Sequence, residues 1–110
     1  NMNLSIHVTN DDQVTDIKLV GEIDVYTAPN LKDTLLSATK KEGETIRIDL
    51  EKVTYMDSTG LGALISGLKS SKEHNSKLVL SNIQDRVYRL FDITGLKEVF
   101  EIESTIRGGM

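Results

Sequence analysis

Two short runs of apolar residues open the chain and alternate with polar residues: Leu4, Ile6 and Val8, then Ile17 and Leu19. A period of two is typical of β-strands with one buried face, because successive side chains point to opposite faces. The polar stretch Asn10-Asp11-Asp12 between the runs favours a turn. The chain is therefore predicted to begin with a β-hairpin.

The apolar spacing then changes to that of an α-helix. Ala28, Leu31, Leu35 and Ala38 lie at helical intervals. This first helix is predicted to start at Thr27, to carry Pro29 in its first turn and to stop at Gly43. A second helix is indicated by apolar residues at positions i, i+3, i+4 and i+7, which are Leu61, Leu64, Ile65 and Leu68.

A third helix is predicted from a possible capping box, in which Ser81 is followed three residues later by Gln84. Its apolar residues are Ile83, Val87, Leu90 and Phe91. Gly95 is the expected C-terminal stop, because glycine readily adopts the left-handed conformation that ends many helices.

Three further strands are predicted between and after these helices. One alternates from Ile46 to Leu50, one is the short apolar run Leu78-Val79-Leu80, and the last is Val99 to Ile102. The resulting order ββαβαβαβ indicates an α/β fold with a mainly parallel sheet and an antiparallel N-terminal hairpin strand. Because the strands alternate, we expect the helices chiefly on one face of the sheet.

No linker or repeat divides the sequence, so we expect a single domain over residues 2–106 and a flexible tail over 107–110. Asn1 precedes the first methionine and is set aside as an added residue. No basic stretch followed by an apolar run opens the chain, and no apolar run approaches about 20 residues. We therefore expect neither export nor a membrane span.

Composition narrows the possible functions. The 17 acidic residues outnumber the 13 basic ones among 110, which disfavours nucleic-acid binding because that activity needs clustered Lys and Arg. The absence of Cys removes disulfides, thiolate metal sites and cysteine nucleophiles, and it is typical of a reducing compartment. We expect a cytoplasmic protein.

The candidate catalytic and cofactor-binding motifs in the sequence are all incomplete. His7 and His74 make a poor metal set and lack evident partners for acid-base chemistry. The segment Gly62 to Gly67 resembles the start of a phosphate loop, but Leu68 stands where that motif requires Lys. Among the carboxylates, Asp24, Asp49 and Asp57 are best interpreted as solvated charges. We expect no catalytic residues, cofactor or metal.

The junction between the third strand and the second helix is the most informative segment. It reads Tyr55-Met56-Asp57-Ser58-Thr59-Gly60-Leu61 and follows the carboxyl end of a strand, where α/β folds gather their sites. Ser58 falls at the expected N-cap, so simple helix capping would explain it. Asp57 and Thr59 compete for the same cap, however, and Leu61 stands where a capping box needs Glu or Gln.

Additional glycines, Gly60, Gly62 and Gly67, weaken the helix that follows. Stability is therefore not the only requirement on this segment. Small residues on an outer surface let another protein approach closely, and a phosphoryl group on Ser58 would lie at a helix N-terminus, which favours negative charge. The junction is predicted to be a switch.

Three motifs then resemble a known family: Gly21-Glu22-Ile23-Asp24, Tyr55 to Gly62, and Arg89-Leu90-Phe91-Asp92-Ile93-Thr94-Gly95-Leu96-Lys97. In this order and spacing, the chain is similar to anti-sigma-factor antagonists of the STAS superfamily, of the general-stress RsbV type. The resemblance covers almost the whole chain. It implies a single STAS domain, and the third motif is interpreted as a helix end that serves the fold.

The resemblance also implies a function. Ser58 matches the serine that an anti-sigma kinase phosphorylates and a PP2C-type phosphatase restores, and Asp24 matches the acidic residue near it. The unmodified chain would bind the kinase and release a sigma factor, and phosphorylation would abolish binding. We therefore expect a kinase substrate and not an enzyme. Asp57, Thr59 and Gly60 are the further expected neighbours of the phosphate.

Partner contacts are predicted from the residues that flank the acceptor, namely Met56, Leu61 and Gly62, although Leu61 also belongs to the apolar stripe of its helix. Thr59 is a competing acceptor. Two other functions stay open: an unmodified STAS scaffold subunit of a membrane transport or lipid-transport complex, and an enzyme with Ser58 as nucleophile. The isolated chain is expected to be a monomer or a weak dimer.

Overall fold

A five-stranded β-sheet forms one layer of the fold and supports three helices. The computed structural model describes residues 3–103. The strands lie across the sheet in sequence order: β1 (Leu4–Asp11), β2 (Val14–Ile23), β3 (Thr45–Met56), β4 (Lys77–Ser81) and β5 (Glu101–Glu103). β1 and β2 are antiparallel, and the remaining neighbours are parallel. The predicted α/β fold with an antiparallel N-terminal strand is confirmed.

The parallel strands are connected through the helices. Helix α1 (Ala28–Ala38) joins β2 to β3, and α2 (Ser58–Glu73) joins β3 to β4. The last connection contains α3 (Asp85–Thr94) and a short 3₁₀ turn, Leu96–Glu98. Pro29 lies in the first turn of α1, as predicted, where its missing N–H costs no helical hydrogen bond.

The two faces of the sheet differ in chemistry. Ile17, Ile48 and Leu80 lie in register across β2, β3 and β4 and are fully buried with the helices. One residue further along, the aligned positions are Lys18, Asp49 and Ser81, on the opposite face. Because side chains alternate along each strand, one face carries the core, and the other is mainly polar apart from the buried Val79 of β4. The prediction that the helices lie chiefly on one face is confirmed.

The helices contribute the second half of the core. Their larger buried apolar residues are Leu31 and Leu35 of α1, Leu61, Leu64 and Leu68 of α2, and Val87 and Phe91 of α3. The Phe91 ring packs edge to face on Phe100, with centroids 5.4 Å apart, a favourable arrangement for aromatic rings. This contact fixes the last helix against the connection to β5.

Two boundaries near the beginning of the chain differ from the predictions. Asn10 and Asp11 belong to β1, and the hairpin turn instead uses Asp12, whose φ is 59°, together with Gln13. Helix α1 ends at Ala38 and does not continue to Gly43. The Thr39 hydroxyl donates to the carbonyl of Leu35 at 2.8 Å and so satisfies a terminal backbone acceptor earlier than the glycine could.

The predicted capping box of α3 is wrong. Ser81 is the last residue of β4, and its hydroxyl donates to the Ile48 carbonyl. Gln84 donates from Nε2 to the Glu51 carbonyl at 2.6 Å, and α3 begins at Asp85. These side chains tie the turn after β4 to β3, which sequence spacing alone cannot distinguish from capping.

The C-terminal end of α3 agrees with the prediction. Gly95 follows the helix with φ 78°, the left-handed conformation. Just beyond, Lys97 Nζ donates to Asp92 Oδ1 at 2.9 Å, and this hydrogen bond to a carboxylate raises the pKa of Lys97. The last strand is shorter than predicted, because residues 96–98 form the 3₁₀ turn and pairing with β4 begins only at Glu101.

The predicted domain limits, residues 2 and 106, and the predicted tail over 107–110 lie outside the described residues. Within residues 3–103, none of the helices combines the length and the apolar character needed to span a bilayer.

Candidate functional site

The candidate site forms where two neighbouring parallel strands end. Ile23, the last residue of β2, is in register with Met56, the last residue of β3. Asp24 and Asp57 are therefore the first residues beyond adjacent strands. The backbone N–H of Asp57 donates to the carbonyl of Ile23 at 3.2 Å and ties the two strand ends together. The structure thus brings together the two aspartates that the sequence analysis selected.

Asp57, and not Ser58, caps the second helix. Asp57 has extended backbone angles, and its Oδ1 accepts a hydrogen bond from the N–H of Gly60 at 3.0 Å. Its carbonyl accepts the first helical hydrogen bond, from Leu61. The N-cap prediction for Ser58 is therefore wrong by one residue. Ser58 is the first residue of α2, and both Ser58 and Thr59 are exposed.

The Asp24 carboxylate organises the loop that faces this helix start. Its Oδ1 accepts hydrogen bonds from the backbone N–H groups of Tyr26 at 2.9 Å and Thr27 at 3.1 Å. The Thr27 hydroxyl in turn donates to the Glu22 carbonyl at 2.9 Å. Asp24 therefore shapes the entry into α1 and fixes a negative charge beside the end of β2.

Gly60 allows the start of α2 to pack closely against the end of β2, because it has no side chain. A Cβ atom on Gly60 would lie 2.7 Å from both the Ile23 carbonyl oxygen and its Cγ2 atom, which is closer than any side chain allows. Gly62, by contrast, has open space around the same position. The two glycines, which were both predicted to weaken the helix, thus differ in their surroundings: Gly60 permits close packing, and Gly62 leaves a surface uncovered.

A groove lies between α1 and α2 beside the exposed Thr59. Its volume is about 330 Å³, and it is lined by Ala28, Pro29, Lys32, Thr59, Gly62, Ala63 and Ser66. Small side chains dominate this lining, so the groove offers backbone and apolar surface close to the Ser58 hydroxyl.

Exposed aromatic and aliphatic side chains border the site. Tyr26 is 67% exposed and Val25 is 55% exposed in the loop after β2, and Tyr55 is 49% exposed near the end of β3. The sequence analysis missed Val25 and Tyr26. The sequence did offer a signal for them, because two large side chains follow the Gly-Glu-Ile-Asp motif in a predicted loop. Large apolar residues in such a loop are expected to be exposed.

The three predicted partner contacts have different environments. Met56 is 8% exposed and Leu61 only 4%, and both pack in the core. Their side chains therefore hold the junction from beneath. Gly62 is half-buried and lines the groove. Of the three, Gly62 alone is not buried.

The chemistry of the site suits charge addition at Ser58. Its hydroxyl stands at the N-terminus of a 16-residue helix, where the backbone dipoles favour an anion. Neither histidine lies at this junction. His74 caps the opposite end of α2, about 24 Å away at 1.5 Å per residue, and its Nδ1 contacts the Ser70 carbonyl. His7 lies on the polar face of the sheet, in register with Lys18.

Across residues 3–103, the structure contains no group of three or more His, Cys, Asp or Glu side chains that could hold a metal ion.

Comparison with known proteins gives one consistent family. The STAS domain family matches residues 5–108. A relative from Listeria monocytogenes, named anti-sigma-B factor antagonist, is 48% identical over 104 residues, covering 94% of this chain and 91% of the relative. A Bacillus subtilis protein of the same name is 40% identical over 109 residues and covers 99% of both chains.

Solved structures agree at the level of the fold. The crystal structure of an anti-sigma factor antagonist from Mycobacterium paratuberculosis superimposes with a TM-score of 0.81 at 24% identity, covering 94% of this chain and 87% of that one. The near full-length match in sequence, joined to the same architecture, leads to one conclusion. This chain belongs to the STAS domain family and is a close relative of the anti-sigma-B factor antagonists.

Proposed function

We propose that this chain is an anti-sigma-factor antagonist whose unphosphorylated form binds an anti-sigma factor with serine kinase activity and thereby releases a sigma factor. The relatives of that name, 40–48% identical over nearly the whole chain, support this function. The observation that carries the mechanism is the exposed Ser58 hydroxyl at the rigid start of α2.

Phosphorylation of Ser58 is the proposed switch. The kinase transfers the γ-phosphoryl group of ATP to the Ser58 oxygen, which loses its proton, and ADP leaves. A PP2C-type phosphatase hydrolyses the ester and restores the hydroxyl. In this function the chain is a substrate and a competitor in the cytoplasm, and it catalyses neither step.

Local electrostatics explain why the modified chain would dissociate. A phosphate adds about −1.5 to −2 charges and three acceptor oxygens. These charges would stand beside Asp57 and near Asp24, which already carry hydrogen-bonded carboxylates at the two strand ends. Burial of this excess negative charge at a protein interface is costly. A loss of about 2.7 kcal/mol weakens binding about a hundredfold, which is enough to reverse a competition.

The partner surface would surround the acceptor. It comprises the exposed side chains Val25, Tyr26 and Tyr55 and the groove that includes Gly62. Aromatic residues are common anchors at protein interfaces because they contribute a large contact area at low entropic cost. Met56 and Leu61 would support this surface from the core, while Thr59 and Gly60 set the position of the acceptor.

The experiment that tests this function compares two replacements of one residue. Ser58→Ala should bind a cognate anti-sigma kinase as tightly as the wild type and stay bound in the presence of ATP. Ser58→Asp should bind about tenfold or more weakly, since it places one charge in the interface. Isothermal titration with the purified kinase measures both affinities.

The control is Thr59→Ala, which removes the competing acceptor and keeps Ser58. Intact mass and peptide mapping after incubation with kinase and ATP should show one phosphoryl group on Ser58 in wild type and in Thr59→Ala, and none in Ser58→Ala. Equal kinase affinity of the Ala and Asp variants would refute charge as the switch. Phosphate on Thr59 instead would refute the assignment of the acceptor.

The two other functions have weaker support. A scaffold subunit of a transport complex would share the STAS fold, but the relatives with 40–48% identity are named for sigma regulation and not for transport. A Ser58 nucleophile would need a general base within hydrogen-bond reach. Both histidines lie on other parts of the described fold.

A further inference from the structure

A second cavity lies at the end of the sheet opposite Ser58. Its volume is about 540 Å³, and it is lined by Val8, Asn10, Thr15, Asp33, Thr34, Ser37, Ala38, Lys41 and Glu44. Glu44 directly precedes β3, whereas Asp57 and Ser58 follow its other end. The cavity is therefore separated from the partner surface by the whole length of a 12-residue strand.

The unusual feature of this cavity is a buried carboxylate. Glu44 is only 3% exposed, and its Oε2 accepts a hydrogen bond of 2.6 Å from the Thr15 hydroxyl. Its Oε1 is buried without a hydrogen-bond partner. Buried polar groups are usually satisfied, because an unmet acceptor costs free energy. Glu44 therefore has the capacity for one further donor.

Among the described residues that line the cavity, Lys41 is the one cation, and it does not hydrogen-bond to Glu44 Oε1. Its Nζ lies 3.8 Å from Glu44 Oε1, beyond hydrogen-bond distance, and the side chain is 73% exposed. An exposed lysine held at this range contributes little and moves readily. Lys41 therefore leaves the Glu44 Oε1 acceptor without a hydrogen bond.

Other groups in the cavity also favour a positive charge. Asp33 supplies a second carboxylate, and Asn10 and Ser37 supply polar side chains. The cavity includes Ala38 at the C-terminus of α1, and the last turn of that helix has no basic residue. The C-terminal end of a helix carries partial negative charge, which favours cations. Val8 and Ala38 provide an apolar wall for a short hydrocarbon.

We propose that this cavity is a binding site for a small organic ammonium ion, such as a primary amine or short diamine, whose N–H group donates to Glu44 Oε1 in place of Lys41. A metal ion fits less well, because only two carboxylates line the cavity and no metal-binding group of three such residues occurs in the described part of the chain. This site lies apart from Ser58 and does not depend on the proposed function.

The test is a titration of the full chain with 1,4-diaminobutane at constant ionic strength, followed by backbone amide chemical shifts. We expect saturable shifts at Thr15, Lys41 and Glu44 and no shift at Ser58. Tetramethylammonium has the same charge on each nitrogen but no N–H donor, so it should leave these amides unchanged. Equal shifts with both cations would overturn the proposal, because they would indicate general ionic attraction.

Glu44→Gln tests the carboxylate directly. The replacement keeps the shape and removes the charge, and it should weaken diamine binding about tenfold, which corresponds to about 1.4 kcal/mol. Glu42→Gln is the matched control, since it removes the same charge from an exposed position two residues away and should bind like the wild type. A folded Glu44→Gln chain with wild-type affinity would refute the site.

Lys41→Met provides a second test of diamine binding if Glu44→Gln fails to fold. Removal of the competing ammonium from its exposed position should tighten diamine binding by up to about fivefold. Unchanged or weaker binding would show that Lys41 does not occupy the ligand position. The absence of saturable shifts in both wild type and Lys41→Met would mean that water alone meets the Glu44 oxygen.

Discussion

Two glycines in the first turns of α2 have opposite surroundings. Gly60 touches Ile23 so closely that a methyl group has no room, whereas a methyl group on Gly62 would meet nothing within 4 Å. Gly60→Ala should therefore destabilise the protein by about 1–3 kcal/mol, because the helix must move away from β2. Gly62→Ala should stabilise it by about 0.5–1 kcal/mol through better helix propensity. Denaturant unfolding measures both.

The Gly62→Ala variant also distinguishes an effect on protein stability from an effect on partner binding. Gly62 lines the groove beside Thr59, so the added methyl group of Gly62→Ala should weaken binding of the anti-sigma kinase although the protein itself becomes more stable. Titration of the kinase with this variant provides the measurement. Wild-type affinity would mean that the partner does not enter the groove.

At this scale, the structure places Asp24 and Asp57 directly after adjacent strand ends. Sequence reasoning predicted Asp57 and Ser58 at this junction from periodicity, and Asp24 from its match to a family motif. It could not separate Gly60 from Gly62, since their difference arises from Ile23, which lies far away in the sequence. It also could not detect the unmet oxygen of Glu44. That property depends on burial by three elements at once.

Helix α2 depends on Asp57 for its N-terminal cap. The hydrogen bond from the Gly60 N–H to Asp57 Oδ1 satisfies one of the free donors of the first turn. Asp57→Ala should therefore lower the free energy of unfolding by about 1 kcal/mol. Ser58→Ala, one residue later, should change it by less than about 0.5 kcal/mol, as for an exposed position without a cap. Thermal and urea unfolding of both variants check this.

The comparison has a direct consequence for interpretation of the switch. If Ser58→Ala lost as much stability as Asp57→Ala, Ser58 would contribute to the fold, and any change in partner affinity would have two causes. If Ser58→Ala had the stability of the wild type, the Ser58 hydroxyl would have no part in the fold, and a change in partner affinity would have a single cause.

Elements were easier to predict than their ends. The apolar periodicity predicted for α1, α2 and β3 agrees with the structure, because the periodic residues are those that pack in the core. The ends were set by side chains whose partners are distant in sequence or ambiguous in spacing. Thr39 ends α1 through Leu35, and Ser81 and Gln84 hold the turn after β4 against β3 instead of capping α3. Such contacts depend on tertiary structure, which spacing does not contain.

For the whole molecule, the scaffold beneath Ser58 is fixed by a continuous core. The inward residues of β2, β3 and β4 pack in one cluster with all three helices. Phosphorylation should therefore change amide chemical shifts only near the start of α2 and the Asp24 loop, and leave β4 and the Glu44 cavity unchanged. A ¹H–¹⁵N spectrum of the phosphorylated chain tests this. Widespread shifts across the core would indicate a conformational change instead of local repulsion.

The fold class and the placement of helices on one side followed from the alternating strands, because a half-buried sheet imposes that pattern. The chemistry of the opposite face was less predictable. Arg47 contacts both Asp16 at 3.6 Å and Glu103 at 3.1 Å, and the latter residue lies 56 positions away in the chain. Only the strand order brings these charges together.

The contact between Gly60 and Ile23 also restricts what a modifying enzyme can recognise. Ser58 lies at a helix start that packs closely against the end of β2. The helix is capped by Asp57, the residue before Ser58. An isolated peptide spanning residues 55–62 would lack both supports and would sample many backbone shapes. A kinase that phosphorylates Ser58 would therefore have to accommodate a preformed helix start of a folded domain, and much of its selectivity would come from shape and not from a linear consensus around the serine.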